Sequence, residues 1–354
     1  MKLGKVSVNV LKRSIWKQIH TRRDEMINGA GAGADCAVFA VSDAGTEYLV
    51  NCVQESAVSA RWEEESNPSG VAGGALLAGE PVRSMAQLIH KCANNLAVSG
   101  AEPVAIMLTF LLPEETEEPL IRQLMIEAEN TCKELSMQIA GGQTRTTKGV
   151  KIPYAIVTGY GKIIRGKDKS NEVFGQAEPG QDIVLSKWIG LEGTAMLADR
   201  GRDKLLARYP AHLVDAAKEF DRYLSIIPEA ATAVKSGVCA MHDASEGGIF
   251  AALWELAEGA GVGLTIDMKK LPIRQETVEV CEELNVNPYE LLSGGCLVMT
   301  AQDGNGLVAA LEAEGIPATV VGKITDSNDR LILNGDEVRY MDRPGQDAIY
   351  TFDR

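Results

Sequence analysis

The sequence has neither a basic surplus nor long hydrophobic runs, and both absences exclude classes of partner. Its formal net charge is −14 at pH 7. Nucleic acids and anionic membranes are polyanions that select basic patches, so this charge argues against both. No run approaches the length of a transmembrane helix, and the first residues, MKLGKVSVNVLKRSIW, lack the apolar core of a signal peptide. Nucleotides are not excluded, because backbone N–H groups and a metal hold them locally.

Cysteine and histidine are also sparse. The seven cysteines lie far apart with no CxxC pair, and the four histidines are dispersed. This spacing predicts neither a zinc site nor a disulfide framework, and it argues against a His-rich metal centre. Several cysteines stand among apolar neighbours, which favours reduced, buried thiols in a cytoplasmic protein.

The length of 354 residues and the 45% hydrophobic content fit two globular domains. The first half alternates strands and helices in the order ββαβαβ. Its predicted strands are 36–41, 48–53, 104–110 and 152–158, and its predicted helices are 81–99 and 119–135. A turn at 42–45 joins the first two strands, and Gly141-Gly142 is predicted to form a turn after a short strand. This pattern predicts an α+β sheet with helices on one face.

A polar stretch over 164–179 separates the two halves. We place the domain boundary near residue 170, which gives domains 1–170 and 171–354. The second half restarts with a strand at 182–186 and a helical stretch over 194–224. Further strands are predicted at 238–241, 264–267, 295–300 and 319–324, with helices at 228–236 and 275–284. This alternation predicts an α/β domain.

The most informative segment is 241–263, MHDASEGGIFAALWELAEGAGVG. A strand ends there in a polar turn, and an amphipathic helix follows with apolar residues at helical spacing. Asp243 and Glu246 have the spacing of a capping box, so we expect Asp243 to cap this helix. Gly247 and Gly248 would then leave the first N–H groups of the helix uncovered as a candidate anion or phosphate site. A plain, well-capped core helix is the alternative.

Four short segments of the first half are candidate ligand-binding sequences. They are 28–35 (NGAGAGAD), 54–56 (QES), 94–101 (NNLAVSGA) and 141–144 (GGQT). The first is a glycine-rich loop whose bare backbone can approach a phosphate, although most such loops are simply flexible. Adjacent asparagines are poor helix formers, so Asn94 and Asn95 suggest a function at the helix surface.

These segments, in this order, resemble those of the aminoimidazole-ribotide synthase (PurM-like) superfamily. Residues 94–101 resemble its N-D-L-A-x-S-G-A motif, 141–144 its G-G-D-T and 242–248 its H-D-x-S-x-G-G. Within the superfamily, the sequence is most similar to the hydrogenase-maturation carbamoyl dehydratase family, HypE. The residues that carry this likeness include Leu271-Pro272-Ile273, Asn287-Pro288 and Leu292-Ser293-Gly294-Gly295. The resemblance runs from residue 28 to residue 324.

The resemblance implies a two-domain PurM-like fold and a homodimer whose N-terminal sheets pair into a barrel, with ATP and magnesium in a groove beside it. It also implies ATP-dependent chemistry, in which an amide-type oxygen is phosphorylated and then lost or displaced. Such chemistry needs carboxylates that hold magnesium and backbone N–H groups that cradle phosphates. The implied cofactor-binding residues are Gly31, Gly33, Asp35, Glu55, Asn94, Asn95, Gly141, Gly142, Gln143 and Thr144.

The sequence departs from the family pattern at its acidic positions. Where the family has carboxylates suited to magnesium, this chain has Ala34, Glu55, Asn95 and Gln143. Asparagine and glutamine offer neutral oxygens, whereas magnesium prefers carboxylates. Asp35 and Glu55 are the candidate metal ligands that remain, so we expect a magnesium site that is weakened or lost.

Family members that accept a carbamoyl group carry an acceptor cysteine on a mobile C-terminal tail. This sequence has no cysteine after Cys296, so we expect no thiocyanate formation on its own tail. Residues 190–195 (GLEGTA) correspond to a turn that faces the groove in the family, although Thr194 could simply cap the helix there. The candidate catalytic residues are Glu192, His242, Asp243 and Glu246. A structural histidine and a plain helix cap are the alternatives for His242 and Asp243.

Two hypotheses follow from these observations. The first is an ATP-dependent enzyme similar to HypE that activates an amide- or carbamoyl-type oxygen in metallo-enzyme maturation. ATP would lie over the N-terminal glycine segments, and a small-molecule substrate or a maturation partner protein would meet the catalytic residues. The second is a non-catalytic relative that binds a nucleotide or small anion, or serves as a scaffold, with a degraded metal site. A metal-free phosphate-ester or nucleoside binder is not distinguished from the second.

Overall fold

A computed structural model of the chain describes residues 6–21, 23–41, 47–60, 81–164 and 176–352. It contains two mixed seven-stranded sheets, one in each half. The elements of the first half are α1 (Val8–Ser14), β1 (Met26–Asn28), β2 (Ala37–Ala40), β3 (Glu47–Val58), β4 (Val82–Arg83), α2 (Met85–Val98), β5 (Glu102–Leu112), α3 (Glu118–Glu134), β6 (Gln138–Thr146) and β7 (Tyr154–Ile164).

The second half begins with β8 and ends with a short 3₁₀ turn. Its helices are α4 (Leu191–Arg200), α5 (Arg202–Leu206), α6 (Ala211–Lys218), α7 (Ile227–Lys235), α8 (Gly248–Ala260), α9 (Gln275–Leu284) and α10 (Gly304–Ala313). Its strands are β8 (Asp182–Ser186), β9 (Ala240–Ala244), β10 (Gly263–Asp267), β11 (Cys296–Ala301), β12 (Ala318–Thr325), β13 (Arg330–Asn334) and β14 (Glu337–Tyr340). The 3₁₀ turn covers Ala348–Thr351.

The first sheet has the strand order β1-β2-β3-β7-β5-β6, with β4 beside β3. Side chains alternate across a strand, so Val50 and Cys52 of β3 are buried whereas Leu49 and Val53 are exposed. Helix α2 packs on the buried face against β3, β5 and β7, and α3 packs beside it on α2 and β6. The predicted ββαβαβ segments correspond to β2, β3, α2, β5, α3 and β7, and the placement of these two helices on one face is confirmed. The structure adds the strands β1 and β4, and β6 is longer than the short strand expected there.

Helix α2 approaches the first sheet closely at β7. A Cβ added to Gly159 would stand 2.5 Å from Cys92 Sγ, so only glycine leaves room for the helix there. Cys92 is fully buried beside Cys52, with 3.6 Å between the two sulfur atoms. All seven cysteines are free, and all but Cys239 are buried, which confirms the prediction of buried thiols.

The second sheet has the order β14-β13-β10-β12-β8-β11-β9, which leaves β9 at an edge. Helix α2 of the first half contacts both β9 and α7 of the second half. Ala97 and Val98 of α2 share a buried apolar cluster with Ile226 and Leu297. The two halves therefore meet where the edge strand β9 carries His242 and Asp243.

Two sequence expectations are wrong in detail. The helical stretch over 194–224 is divided into α4, α5 and α6, because Gly201 ends the first helix and Pro210 stands at the start of the third. Gly141 and Gly142 do not form a turn: both lie inside β6 with positive φ, next to an irregularity in the pairing with β5. A Cβ at Gly142 would overlap the carbonyl group of Leu108.

Two other expectations fall outside the described residues, namely the turn at 42–45 and the boundary near residue 170. The division at that boundary stays a prediction. Across the part of the chain that the structure describes, no helix is long and apolar enough to cross a membrane.

Candidate functional site

His242 lies between two carboxylates at the junction of the two halves. Its Nδ1 is 2.8 Å from Asp35 Oδ2, and its Nε2 is 3.3 Å from Glu255 Oε2 on α8. Burial alone would lower the pKa of His242, but the attraction of Asp35 and Glu255 outweighs burial and raises that pKa to about 10. Both ring nitrogens therefore act as donors, and an imidazolium ion links the glycine-rich loop to the second half.

The glycine-rich loop reaches His242 because it packs against α8 without side chains. Gly33 has φ +70°, and a Cβ there would lie 2.9 Å from the carbonyl oxygen of Glu255. Gly259 of α8 faces the loop in the same way, since its Cβ would lie 3.0 Å from the carbonyl oxygen of Ala32. This close approach of two backbones places Asp35 beside His242. Gly31 is different, because a Cβ there would meet nothing within 4 Å.

A cavity of about 380 Å³ opens beside this contact, between the loop, the end of α2 and α8. Its polar lining includes Asn28, Asp35, Ser99 and His242, and the remainder is mainly small and apolar. The cavity therefore combines an apolar wall with a few convergent polar groups, the usual composition of a small-molecule site.

Asp243 points to the other face of β9, because successive side chains alternate across a strand. It is 3% exposed, and neither of its carboxylate oxygens has a hydrogen-bond partner among the described residues. Burial, together with the negative charge of Asp35, raises the pKa of Asp243 to about 7, although His242 and Lys91 act against this increase. A buried carboxylate without a donor is costly, so Asp243 does not stabilise the fold through hydrogen bonds.

Glu192 is held by an ion pair that joins the two halves. Arg83 Nε donates to Glu192 Oε1 at 2.8 Å, and both side chains are almost fully buried. Gly294 supplies the space for this carboxylate, since a Cβ there would lie 2.5 Å from Glu192 Oε2. Burial opposes the charge of Arg83, but Glu192, together with Glu246 and Tyr350, holds the pKa of the guanidinium above its usual value.

Lys91 of α2 is a second cation near these carboxylates. Burial and repulsion from Arg83 lower the pKa of Lys91, while Glu192, Glu246 and Asp243 act against that decrease. Arg83 Nη2 is buried without a hydrogen-bond partner in the described part of the chain. The junction thus holds an unpaired carboxylate and an unpaired guanidinium nitrogen within one group of charges.

The start of α8 differs from the sequence expectation. Asp243 lies in β9, paired with Leu297, and does not cap the helix; Gly247 is the N-cap residue and has φ +88°. The Gly247 N–H is not uncovered either, because it donates to Asp347 Oδ2 at 2.5 Å. The capping box was wrong because the chain remains extended through Ala244, which leaves Asp243 too far before the first helical turn.

Two domain models describe this chain. Residues 72–163 match the AIR synthase related protein N-terminal domain, and residues 178–334 match the AIR synthase related protein C-terminal domain. Together they cover well over half of the sequence. The chain belongs to the AIR synthase related proteins. The resemblance to the PurM-like superfamily, and the two-domain PurM-like fold that it implied, are confirmed.

The relatives of this AIR synthase related chain include HypE proteins. It is 31% identical to the carbamoyl dehydratase HypE of Rhodobacter capsulatus, over 65% of this chain and 66% of that protein. The fold is similar to HypE in the crystal structure of a HypE-HypF complex, with TM-score 0.66, 19% identity and coverage of 88% and 94% of the two chains. It is also similar to HypE in complex with ATP, with TM-score 0.65, 17% identity and coverage of 85% and 87%.

The asparagine pair, Asn94 and Asn95, makes hydrogen bonds to other parts of the same chain. Asn94 Nδ2 donates to the Leu224 carbonyl oxygen at 2.8 Å, and Asn94 Oδ1 accepts from the Ile226 N–H at 3.0 Å. The Asn95 carbonyl oxygen accepts from Cys36 Sγ at 2.9 Å. In these contacts Asn94 holds α2 against the second half, beside Lys91.

The other predicted cofactor-binding side chains, Glu55, Gln143 and Thr144, do not meet at one site within a single chain. Glu55 is on the exposed face of β3, whereas Gln143 and Thr144 are exposed on the edge strand β6. Two strands, β7 and β5, lie between β3 and β6, so these groups are about 14 Å apart across the sheet. Asp35 has His242 as its partner, and among the described residues no group of three or more His, Cys, Asp or Glu could hold a metal. The donors of one chain therefore do not fit magnesium.

The sequence reasoning identified Glu192, His242 and Asp243 but missed the cations and acids that surround them. These missed groups lie on four different segments: Arg83 on β4, Lys91 on α2, Glu255 on α8 and Asp347 in the C-terminal segment. The sequence pattern could have indicated two of these four residues. Lys91 and Glu255 interrupt the otherwise apolar faces of α2 and α8, and a charge at a core position of an amphipathic helix requires a partner.

Proposed function

We propose that this chain is an ATP-dependent enzyme of hydrogenase maturation that activates an amide- or carbamoyl-type oxygen. The observation that carries the proposal is the buried Asp243 carboxylate without a hydrogen-bond donor, close to Lys91 and the Arg83–Glu192 ion pair. A site built this way is incomplete until a ligand enters. The relative of Rhodobacter capsulatus is named a carbamoyl dehydratase, which supports the same reaction class.

The charges of the junction suit the proton transfers of such a reaction. Dehydration of a primary amide removes one oxygen and two N–H protons, and transfer of the ATP γ-phosphoryl group lets the oxygen leave as phosphate. Asp243, whose pKa is raised to about 7 by burial and by the charge of Asp35, is suited to accept a proton from the amide nitrogen. The free Nη2 of Arg83 is suited to stabilise negative charge that develops on the oxygen.

We assign the nucleotide to the side of the glycine-rich loop and the cavity that contains Gly33, Asp35 and His242. The similarity to a HypE structure with bound ATP supports nucleotide binding, and the cavity beside the loop is the reason for this location. No step is assigned to magnesium, because Asp35 is paired with His242 while Glu55 lies on the exposed face of the sheet. His242 and Glu255 would orient the loop, and Glu192 and Glu246 would face the substrate.

We also propose a homodimer through the uncovered face of the first sheet. Leu49, Val53, Val104 and Met107 are exposed large apolar residues on this face. Contiguous exposed apolar surface is typical of an interaction site. The HypE-HypF complex supports a maturation partner protein as well, because it shows a similar chain bound to another protein.

The test is ATP binding and ATP consumption by the purified protein. We expect calorimetric titration to give micromolar binding, and ATP consumption to depend on a carbamoyl or amide substrate. Asp243→Asn should abolish turnover, about 100-fold or more, while circular dichroism and the melting temperature show an intact fold. Asp326→Asn, which neutralises an exposed carboxylate, is the matched control and should retain full turnover. Normal turnover by the Asp243 variant would contradict the proposal.

A second candidate is a non-catalytic nucleotide- or anion-binding relative. It is favoured by the pairing of Asp35 with His242, which occupies a candidate metal ligand. This candidate would be supported if ATP bound with the same affinity with and without magnesium and if no ATP were consumed in the presence of any amide substrate. Absence of binding with and without magnesium would exclude both nucleotide hypotheses and leave a scaffold.

A further inference from the structure

Asp347 is a buried carboxylate that the proposed reaction does not use. It is 1% exposed, and its oxygens accept from backbone N–H groups of three segments. Gly247 N–H at the start of α8 lies 2.5 Å from Oδ2, while Ile349 N–H and Leu292 N–H lie 2.8 Å and 3.4 Å from Oδ1. One side chain therefore connects the C-terminal segment, the turn before α8 and the loop before β11.

The segment that carries Asp347 is fixed by apolar burial. Four apolar side chains of this segment are buried, namely Met341, Ala348, Ile349 and Tyr350. Ala348, Ile349 and Tyr350 belong to the buried cluster that contains Leu291 and Leu292. We call residues 341–352 the C-terminal strap. The burial of its residues 347–350 means that the position of Asp347 is determined by packing.

The strap also reaches the charges of the junction. The Tyr350 hydroxyl donates to Glu246 Oε1 at 3.5 Å, and Glu246 immediately precedes the glycine whose N–H is bound by Asp347. After Glu192, Glu246 and Tyr350 are the groups that help to keep the pKa of Arg83 above its usual value. The turn before α8 therefore has its backbone held by Asp347 and the carboxylate of Glu246 held by Tyr350.

The turn needs this support because its own sequence supplies little. Gly247 and Gly248 have positive φ, and α8 has no side-chain cap from its own N-terminal segment. Glycine adopts a positive φ without steric strain, but it adopts a negative φ equally well. The conformation of the turn therefore depends on contacts from outside the turn. An anion at this end of α8 is also favoured by the helix dipole.

We propose that Asp347 is a positioning residue of the candidate site, which fixes the place of Glu246 by holding the turn before α8. The proposal rests on the proposed function, in which Glu246 faces the substrate. Asp347 itself touches neither substrate nor nucleotide. Its removal should therefore impair turnover and leave nucleotide affinity unchanged.

The experiment compares Asp347→Ala, Asp347→Asn and Asp342→Asn, all in the full chain. Asp342 is exposed on the same strap, so its variant is the matched control. Turnover and the dissociation constant of ATP are measured at a temperature where every variant is folded. Each measurement is repeated with sodium formate, whose carboxylate can occupy the space vacated in Asp347→Ala, against sodium chloride at the same ionic strength.

We expect Asp347→Ala to lose about 10-fold or more in turnover with unchanged ATP affinity, because a site displaced by a fraction of an ångström loses rate. Formate should restore turnover saturably and chloride should not. Asp347→Asn keeps one acceptor oxygen and should be intermediate. Wild-type turnover by folded Asp347→Ala would overturn the proposal. It would be overturned equally if formate restored the melting temperature but not turnover, since Asp347 would then be only a stabilising group.

If the wild-type protein consumes no ATP, the proposed function is wrong, and this result is separate from the role of Asp347. The role of Asp347 is then measured by amide hydrogen exchange of residues 246–251. Loss of protection in Asp347→Ala that formate reverses would support a positioned turn. Equal protection in Asp347→Ala and wild type would overturn it.

Discussion

At the scale of single residues, the charge on His242 depends on two carboxylates from different parts of the chain. Asp35 and Glu255 hold the pKa of this buried imidazole at about 10, above its ordinary value near 6.5. The folded state therefore binds a proton that the unfolded state releases between these two values. The stabilisation is fully present below pH 6.5 and is lost as the pH rises toward 10.

His242→Gln should remove this pH dependence. Between pH 7.5 and 9.5, we expect the free energy of unfolding of the wild type to fall relative to the variant by up to about 1.4 kcal/mol per pH unit. Urea denaturation at several pH values gives this difference. The range lies above the pKa of about 7 for Asp243 and Asp347, so their ionisation contributes little. Parallel curves for the two proteins would show that His242 is neutral in the fold.

The Arg83–Glu192 pair gives a second prediction at this scale. Glu192→Gln leaves a buried guanidinium without its counter-charge, so we expect a loss of about 3–5 kcal/mol in the free energy of unfolding. Glu118→Gln is the matched control, because it removes the carboxylate of the exposed Arg122–Glu118 pair and should cost under about 0.5 kcal/mol. Equal losses in the two variants would contradict the assignment of a desolvated pair.

The sequence predicted which residues form the candidate site better than it predicted what they contact. Glu192, His242 and Asp243 were selected through motif resemblance, and the structure places all three at the junction. Asp35 was expected to bind metal, yet it contacts His242. The partner of a carboxylate depends on which distant segment packs against it, and a motif does not contain that information.

At the scale of elements, the glycine-rich loop and α8 depend on each other. Gly33 has both a positive φ and no room for a Cβ beside the Glu255 carbonyl oxygen, whereas Gly31 faces open space. We expect Gly33→Ala to lower the free energy of unfolding by about 1–3 kcal/mol. Gly31→Ala, the control, should change it by less than about 0.5 kcal/mol.

Amide hydrogen exchange of residues 29–36 tests the same prediction locally. Faster exchange in Gly33→Ala would show that the loop has left α8, and with it Asp35 would leave His242. If Gly33→Ala and Gly31→Ala exchange equally, the loop is not held by its contact with the helix.

The beginning of α8 shows why element boundaries were harder than element types. The helix itself was predicted from its apolar period, and it spans Gly248–Ala260. Its cap was assigned to Asp243, four residues before Gly247, because the sequence has the spacing of a capping box. The carboxylate that binds there is Asp347, which is distant in sequence and therefore invisible to local pattern analysis.

At the scale of the whole molecule, the uncovered face of the first sheet predicts association. Val53 is 56% exposed near the centre of this face, so Val53→Asp should place a charge in the proposed interface and produce a monomer. Ile126→Asp is the matched control, because Ile126 is 47% exposed on α3, away from this face. Sedimentation velocity over a range of concentrations measures both. A wild-type monomer, or dissociation of both variants alike, would contradict the predicted dimer.

The sequence by itself determined the family, the two-domain fold and most helices and strands. Hydrophobic periodicity and glycine-rich turns are local properties, and they suffice for elements and motifs. Only the tertiary structure decided the partners: Asp35 with His242, Arg83 with Glu192 and Asp347 with α8. It also decided that Glu55 and Gln143 stand apart across the sheet. The physical reason is that the charge state and role of a buried group are set by neighbours from distant segments, which only packing brings together.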